Sequence, residues 1–391
     1  MKKILFAIKG MYLGGTEKAM LSLLNNMDMT NYEVTILLLD KEGALLNDLP
    51  KSCKVKYIED LKPDVKDALL RNGFVSNVKY YLKHFRLIKA FKIAWRRIVC
   101  KDLLAEMDGA FKKVNAYPDS FDIAISYQFH NVFMTRYVAE KIKADKKIVW
   151  VHNDLTTTKF DTSYTKDYID NFNTIYAVSN TIEKELKKAY LKLSKKIHTK
   201  YNYFEYDDIR KKSKESVKLP YNKDKLSILS VGRLNKQKGF DIAIESAKQL
   251  VDSGVDFEWF IIGEGEERST LESMIKQYSL EDRFILLGAK SNPFPYMVGC
   301  DLYVQTSRHE GFCTTTREAL ALKKVVVSTD VSGANEQIRN GVNGFIVEID
   351  ASSIANKIIE LNKNKDTLDK ITDYLKNNND DDQSEFYDFL G

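Results

Sequence analysis

The feature that most constrains this fold is an alternation that runs through the chain twice. Short apolar runs, of strand length, are separated by segments with apolar residues at helical spacing. In the first series the strand-like runs are 4–8, 34–39, 55–58, 121–127, 147–151 and 174–178. Helical patterns such as 181–190 alternate with them, and a last element lies near 197–204. A polar, lysine-rich stretch, 205–225, interrupts the pattern. It then restarts, with strands over 226–231, 257–262, 284–287, 302–305 and 325–328 and a helix over 241–250. Strands spaced by helices predict doubly wound parallel sheets. Two series of similar length predict two similar α/β domains facing each other. Ligands of such sheets bind beyond the carboxyl ends of the strands, so the cleft between the domains is the expected site.

The division expected is a first domain over 1–204, a connection over 205–225, a second domain over 226–376 and a tail over 377–391. A chain of 391 residues, 44% apolar and 29% charged, has material for two cores. Helices are predicted over 351–362 and 367–376, followed by a polar, solvated break at 377–382. The end, 384–390, is apolar enough to dock, with no partner legible. Cys53, Cys100, Cys300 and Cys313 form no close pair, which argues against a thiolate zinc site or a disulfide framework and fits a reducing cytosol. The five histidines show no metal-ligand spacing, and nothing else calls for a metal or a resident cofactor. The amino end reads as a strand, not a signal peptide, and no run reaches the length of a membrane span.

Two stretches carry candidate chemistry. After the strand at 302–305 comes Arg308-His309-Glu310-Gly311-Phe312-Cys313-Thr314-Thr315-Thr316-Arg317-Glu318. The threonines fall where a helix begins, and free N–H groups at the positive dipole end bind anions there. Glu310 precedes this helix. Glu318 is expected in its first turn, within reach of a hydroxyl-bearing ligand. Thr315-x-x-Glu318 fits a capping box equally well, in which Glu318 only returns to the cap's N–H. The second stretch is Gly14-Gly15, between the first strand and a helix with Ala19, Met20, Leu23 and Leu24 on one face and Thr16 as its cap. The two glycines serve either close approach to a ligand or a turn at positive φ. No Gly-Lys-Ser/Thr ends the loop, so it is not a Walker loop.

Residues 76–101 stand apart, with eight lysines and arginines, no acidic residue, and Tyr81, Phe85, Ile88, Trp95 and Val99 near one helical face. This segment is expected to lie on an anionic membrane surface; the competing reading is a domain helix with solvated lysines. No recognition motif points to nucleic acid. Self-association is left open.

Beyond these readings, the residues resemble a family. Val231-Gly232-Arg233-Leu234 with Lys238-Gly239-Phe240-Asp241 comes first, then Ile262-Gly263-Glu264-Gly265 and Asn292-Pro293-Phe294-Pro295-Tyr296. Glu310-x7-Glu318-Ala319, Val326-Val327-Ser328-Thr329-Asp330 with Gly333 and Glu336, and Asn343-Gly344-Phe345 follow in order. Together they resemble the retaining GT-B glycosyltransferases of family 4, from Met1 to about Lys363. The resemblance implies two facing Rossmann-like domains and a nucleotide-sugar donor, with UDP-sugar preferred. The acceptor would be a glycan or a lipid-linked glycan in surface-polysaccharide assembly at the cytoplasmic face of the membrane. It implies that Arg233 and Lys238 hold the diphosphate, Glu318 the ribose and Glu310 the transferred sugar. Thr315 and Thr316 would offer N–H groups to phosphate, with Gly14 and Gly15 closing on it. Gly263 would border the nucleoside and Ala289 the base. His152, after the strand at 147–151, would line the sugar and position it. The same fold also serves nucleotide-sugar epimerases, glycogen-type synthases and catalytically silent partners. A silent partner is disfavoured by the intact set Arg233, Lys238, Glu310 and Glu318.

Overall fold

The computed structural model describes residues 1–58, 111–112, 114–156, 158–378 and 386–391. The basic segment 76–101 lies outside the described residues, as does Cys100. The chain forms two compact units, Met1–Val151 with Phe160–Tyr176, and His152–Lys159 with Ala177–Gly391. Each carries α/β architecture, and each is described by itself.

The amino-terminal sheet has seven strands: β1 (Lys2–Ile8), β2 (Tyr32–Leu38), β3 (Lys54–Tyr57), β4 (Ser120–Ser126), β5 (Lys143–Val151), β6 (Thr174–Ala177) and β7 (Ile197–Thr199). Their order is β3-β2-β1-β4-β5-β6-β7. The pairs β1–β2, β1–β4, β2–β3 and β4–β5 are parallel. The central strand β1 is buried from Ile4 to Ile8, as a strand covered on both faces must be. The switch in strand order falls beside β1, whose carboxyl end carries Gly14 and Gly15.

That loop corrects two expectations. Gly14, not Thr16, is the N-cap of the helix Gly15–Asn25, and it makes no side-chain cap bond. Its φ of −139° is extended, and Gly15 is not among the residues at positive φ, so no left-handed turn explains the pair. The reason at Gly14 is contact. A β-carbon there would lie 2.3 Å from the carboxylate of the buried Glu17.

The second sheet has six strands: β8 (Leu226–Val231), β9 (Phe257–Ile262), β10 (Phe284–Leu286), β11 (Leu302–Gln305), β12 (Val325–Thr329) and β13 (Gly344–Val347). Their order is β10-β9-β8-β11-β12-β13, and every neighbouring pair is parallel. All residues of β11 and β12 are buried. Buried polar groups are satisfied locally: Trp259 Nε1 donates to Ser230 Oγ at 3.0 Å, and Ser230 donates to the Val304 carbonyl at 2.5 Å. The strand β13 escaped the sequence pattern because Gly344 opens it and Ile346 and Val347 are only half-buried.

Two further segments differ from the sequence reading. The polar stretch 205–225 contains a helix, Tyr206–Lys212, whose Tyr206 and Ile209 are buried. Its two apolar contacts are too few to register as a periodic pattern. At the other end, Phe386–Leu390 forms a 3₁₀ turn that buries Phe386, Phe389 and Leu390. Phe386 stacks edge-on to Tyr203 at 5.1 Å, and Lys200 lies over both phenylalanine rings. No helix among the described residues is long and apolar enough to cross a membrane.

Candidate active site

The site is assembled in the second unit, beyond the carboxyl ends of β8 and β11. After β8 the chain makes a loop and a 3₁₀ turn, Lys236–Lys238, whose N-cap Asn235 accepts the Lys238 N–H at 3.1 Å. Gly239 then takes φ 64° and starts the helix Phe240–Asp252. A side chain at Gly239 would be strained by that φ, and its β-carbon would sit 2.1 Å from the Thr306 carbonyl. The close approach locks the β8 loop to the end of β11, where Thr306 Oγ1 donates to the Lys238 carbonyl at 2.8 Å. Arg308 fastens the same junction with paired bonds to Asp241 at 2.7 and 2.6 Å.

This scaffold places Lys238 Nζ 2.5 Å from Glu310 Oε1. Both groups are largely buried: the side chain of Lys238 is 17% exposed and that of Glu310 10%. Ser307 Oγ donates to the same Oε1 at 2.7 Å. Burial alone pushes the Lys238 ammonium down; the charge of Glu310, the hydrogen bond to it and the charge of Glu318 outweigh burial and hold the group above the ordinary lysine value. Lys238 is therefore a permanent cation that senses both carboxylates of the motif. Among the described residues one of its three N–H donors goes to Glu310, leaving two for a ligand. Burial, then Glu310, pushes the neighbouring Cys313 thiol up, so it is no thiolate at neutral pH.

The helix after this loop is Thr314–Ala321, with Cys313 as N-cap and no side-chain cap bond. The capping box expected at Thr315 and Glu318 is therefore absent. The helix begins two residues too early, and Glu318 is its fifth residue, beyond the first turn. Thr314, Thr315 and Thr316 supply the first three N–H groups, which no i−4 carbonyl reaches. Thr316 Oγ1 is buried and, among the described residues, has no hydrogen-bond partner.

His152 belongs to the same unit. A β-carbon at Gly311 would lie 1.9 Å from the His152 carbonyl, so the residue after Glu310 rests on His152's backbone. Thus Lys238, Glu310, Thr315, Thr316, Glu318 and the backbone of His152 occupy one region. Arg233 is exposed on the β8 loop. Gly263 has a structural part that its sequence gave no sign of: a β-carbon there would lie 1.8 Å from the Gly232 carbonyl. Gly263 thereby seats the Arg233 loop. Its N–H donates to the Gly288 carbonyl at 3.0 Å, and Ala289, next along, is exposed. Glu264 is held by Arg268 through paired bonds at 2.8 and 2.7 Å. Gly14 and Gly15 lie in the other unit. Ser307 and Gln305 were missed by sequence reasoning; the available signal was a polar residue closing an otherwise apolar strand and a second polar residue just beyond it.

Glu336 was noted only as part of a pattern. Its carboxylate accepts from the Asn180 and Thr181 N–H groups at 2.8 and 3.0 Å, and from Tyr201 Oη at 2.9 Å. It thus holds the amino end of the helix Asn180–Ala189. Among the described residues no three His, Cys, Asp or Glu side chains cluster as a metal site.

Comparison with known proteins agrees with this architecture. Residues 211–378, which hold all of the second sheet, match the family model of glycosyl transferases group 1. A Campylobacter jejuni N-acetylgalactosamine-N,N'-diacetylbacillosaminyl-diphospho-undecaprenol 4-alpha-N-acetylgalactosaminyltransferase is 38% identical over 157 residues, 40% of this chain and 41% of that protein. The Staphylococcus aureus capsular polysaccharide biosynthesis glycosyltransferase CapM is 31% identical, over 47% of this chain and 48% of its own. The chain spans about half or less of the length of the curated relatives it matches. Anabaena Alr3699/HepE, solved in complex with UDP and glucose, superposes over 96% of this chain and 94% of its own, with TM-score 0.66 and 18% identity. The chain has the GT-B fold.

Proposed function

We propose that this chain is a retaining glycosyltransferase that moves a hexose or N-acetylhexosamine from a UDP-sugar to a glycan or lipid-linked acceptor. The observation that carries the reading is the buried Lys238–Glu310 pair beside the helix end at Thr314. It supplies a fixed cation for developing diphosphate charge and a carboxylate for sugar hydroxyls. Arg233 adds a second cation to the leaving diphosphate, Glu318 takes the ribose, and N–H groups at Thr315 and Thr316 meet phosphate. Gly263 and Ala289 border the nucleoside, and Gly14 and Gly15 approach the phosphates. His152 positions the sugar. Support for the uridine donor comes from fold neighbours solved with UDP, and support for surface polysaccharide as the setting from CapM and its like. Departing phosphate accepts the acceptor's proton, which needs no dedicated base, and no step needs a metal or a resident cofactor.

The test is a panel of nucleotide-sugars, each scored for consumption with and without a lipid-linked glycan acceptor. Acceptor-dependent release of UDP with retained anomeric configuration, read by NMR, is the expected result. Consumption independent of acceptor contradicts transfer and indicates epimerisation or hydrolysis. We further propose that 76–101 rests on the anionic cytoplasmic face of a membrane. Sedimentation with phosphatidylglycerol vesicles should fall when its lysines and arginines are replaced by glutamine; unchanged sedimentation refutes it.

A further inference from the structure

Behind Glu310 lies a line of buried polar side chains that the proposed reaction has not yet used. Gln305 closes β11, Ser307 lies two residues beyond it, and they are 3% and 0% exposed. Gln305 Oε1 accepts from the Tyr303 hydroxyl at 3.3 Å and from Thr315 Oγ1 at 3.4 Å. Gln305 Nε2 donates to Ser307 Oγ at 2.5 Å, and Ser307 donates onward to Glu310 Oε1 at 2.7 Å. Thr329 Oγ1 donates to the Ser307 carbonyl at 2.6 Å and fixes its backbone.

The sense of this line is set by chemistry. The Tyr303 phenol is raised well above its ordinary value by burial, so it stays a donor. The Glu310 carboxylate can only accept, so the single Ser307 proton goes to it and Ser307 Oγ must accept from the Gln305 amide, which leaves the amide carbonyl toward Tyr303 and Thr315. The NH₂ then faces Ser307, and a hydroxyl that accepts there has its proton free for Glu310. Glu310 Oε1 thus receives two donors, Lys238 and Ser307. Among the described residues Oε2 is bonded to none, so it is the oxygen available to a ligand. Only an amide at 305 enforces this direction. A carboxylate would accept at both ends and turn the Ser307 proton away from Glu310.

We infer that Gln305 and Ser307 are positioning residues that hold Glu310 with one oxygen on Lys238 and the other turned to the donor's sugar. Through Thr315 the same line reaches the helix end where phosphate is expected, so both ends of the donor are registered against one buried amide. The inference deepens the glycosyltransferase reading and rests on it.

The test compares UDP with UDP-glucose, UDP-galactose, UDP-N-acetylglucosamine and UDP-N-acetylgalactosamine by calorimetry, on the wild type, Gln305→Glu, Ser307→Ala and Ser307→Thr. In the wild type one UDP-sugar binds more tightly than UDP. In Ser307→Ala that preference should shrink by roughly 10-fold, the size of one hydrogen bond to a charged group, while UDP itself binds within about 2-fold of wild type; Gln305→Glu, which also reaches Thr315, should reduce the preference by a similar factor. Ser307→Thr keeps the donor and should restore the preference. A merely structural role would weaken UDP and UDP-sugar together. An unchanged preference in Ser307→Ala, or no restoration in Ser307→Thr, overturns the inference even if Gln305→Glu fails to fold. A wild type that binds neither UDP nor any of the four sugars instead refutes the underlying donor reading.

Discussion

Gly263→Ala is the perturbation whose consequence the geometry fixes most tightly. The added β-carbon would lie 1.8 Å from the Gly232 carbonyl oxygen and 2.9 Å from its carbon. An ordinary C···O contact is about 3.3 Å, so the two loops must part by about 1.5 Å. Both partners are backbone, so no side chain can swing aside. The flanking bonds, Gly232 N–H to Ile262 and Gly263 N–H to Gly288, each 3.0 Å, resist the separation. Overpacking costs about 1–3 kcal/mol, and a lost ladder bond about 1 kcal/mol more. At a few degrees per kcal/mol for a domain this size, the melting temperature should fall by roughly 5–15 °C. Arg233 directly follows Gly232, so the contact with diphosphate proposed for it should weaken too, by roughly 10-fold to 100-fold in the Kd for UDP. Gly254→Ala is the matched control. Gly254 has φ 72° and no atom within 4 Å of an added β-carbon, so only the left-handed backbone penalises alanine, by about 1–2 kcal/mol. Its Kd for UDP should not change. Calorimetry on both variants decides the matter. A Gly263→Ala protein that melts and binds UDP like wild type refutes the reasoning, as does a Gly254→Ala protein with equally weakened UDP binding.

Other outcomes follow from the same contacts. Lys238→Met leaves Glu310 with Ser307 as its remaining donor and removes the cation facing the leaving group; donor turnover should fall by roughly 10²-fold to 10³-fold in single-turnover assays. Burial pushes the Asp241 carboxyl up, but its bonds to Arg308 and that residue's charge outweigh burial and hold it below the usual range. The pair's stability is therefore present above the unfolded-state value of about 3.9 and lost as pH falls through the lower folded value. Arg308→Met should destabilise at pH 7 in urea titrations and by progressively less below about pH 4. Glu336→Ala strips the carboxylate from two N–H groups and Tyr201, and should cost about 1–3 kcal/mol in the same titrations. The Tyr201 hydroxyl, pushed up to about 12 by burial and then by Glu336, should titrate at lower pH in that variant, followed by ultraviolet absorbance.

The fold was legible because parallel strands buried on both faces leave unbroken apolar runs, as in 4–8 and 259–262. It was least legible where little is buried. The helix Tyr206–Lys212 hides two apolar residues among charges, and Gly344–Val347 opens on a glycine. In the site, Glu310 and Glu318 were singled out from their spacing about a strand end and a helix start, and Lys238 from the resemblance. Their second layer was not, because Ser307 and Gln305 differ from ordinary polar residues only in what they touch. The glycines show the same limit. Gly14 was readable as a place of close approach, but whether to a ligand or a carboxylate is a property of packing, and the contact of Gly263 with a neighbouring carbonyl left no sign in the sequence. The helix does begin at the threonines, but at Thr314, two residues before a box at Thr315 and Glu318 would start it, and no capping side chain stands at Cys313 to mark that boundary.

The central claim, that Lys238 and Glu310 stand over a nucleotide-sugar, is tested most directly by ligand-induced stabilisation of wild type and Lys238→Ala. Binding at 100 times Kd adds about 2.7 kcal/mol to the folded state. The account predicts a melting shift of several degrees with UDP and a larger one with a single UDP-sugar, both lost in Lys238→Ala. No shift in the wild type with any UDP-sugar, or an equal shift in Lys238→Ala, would contradict it.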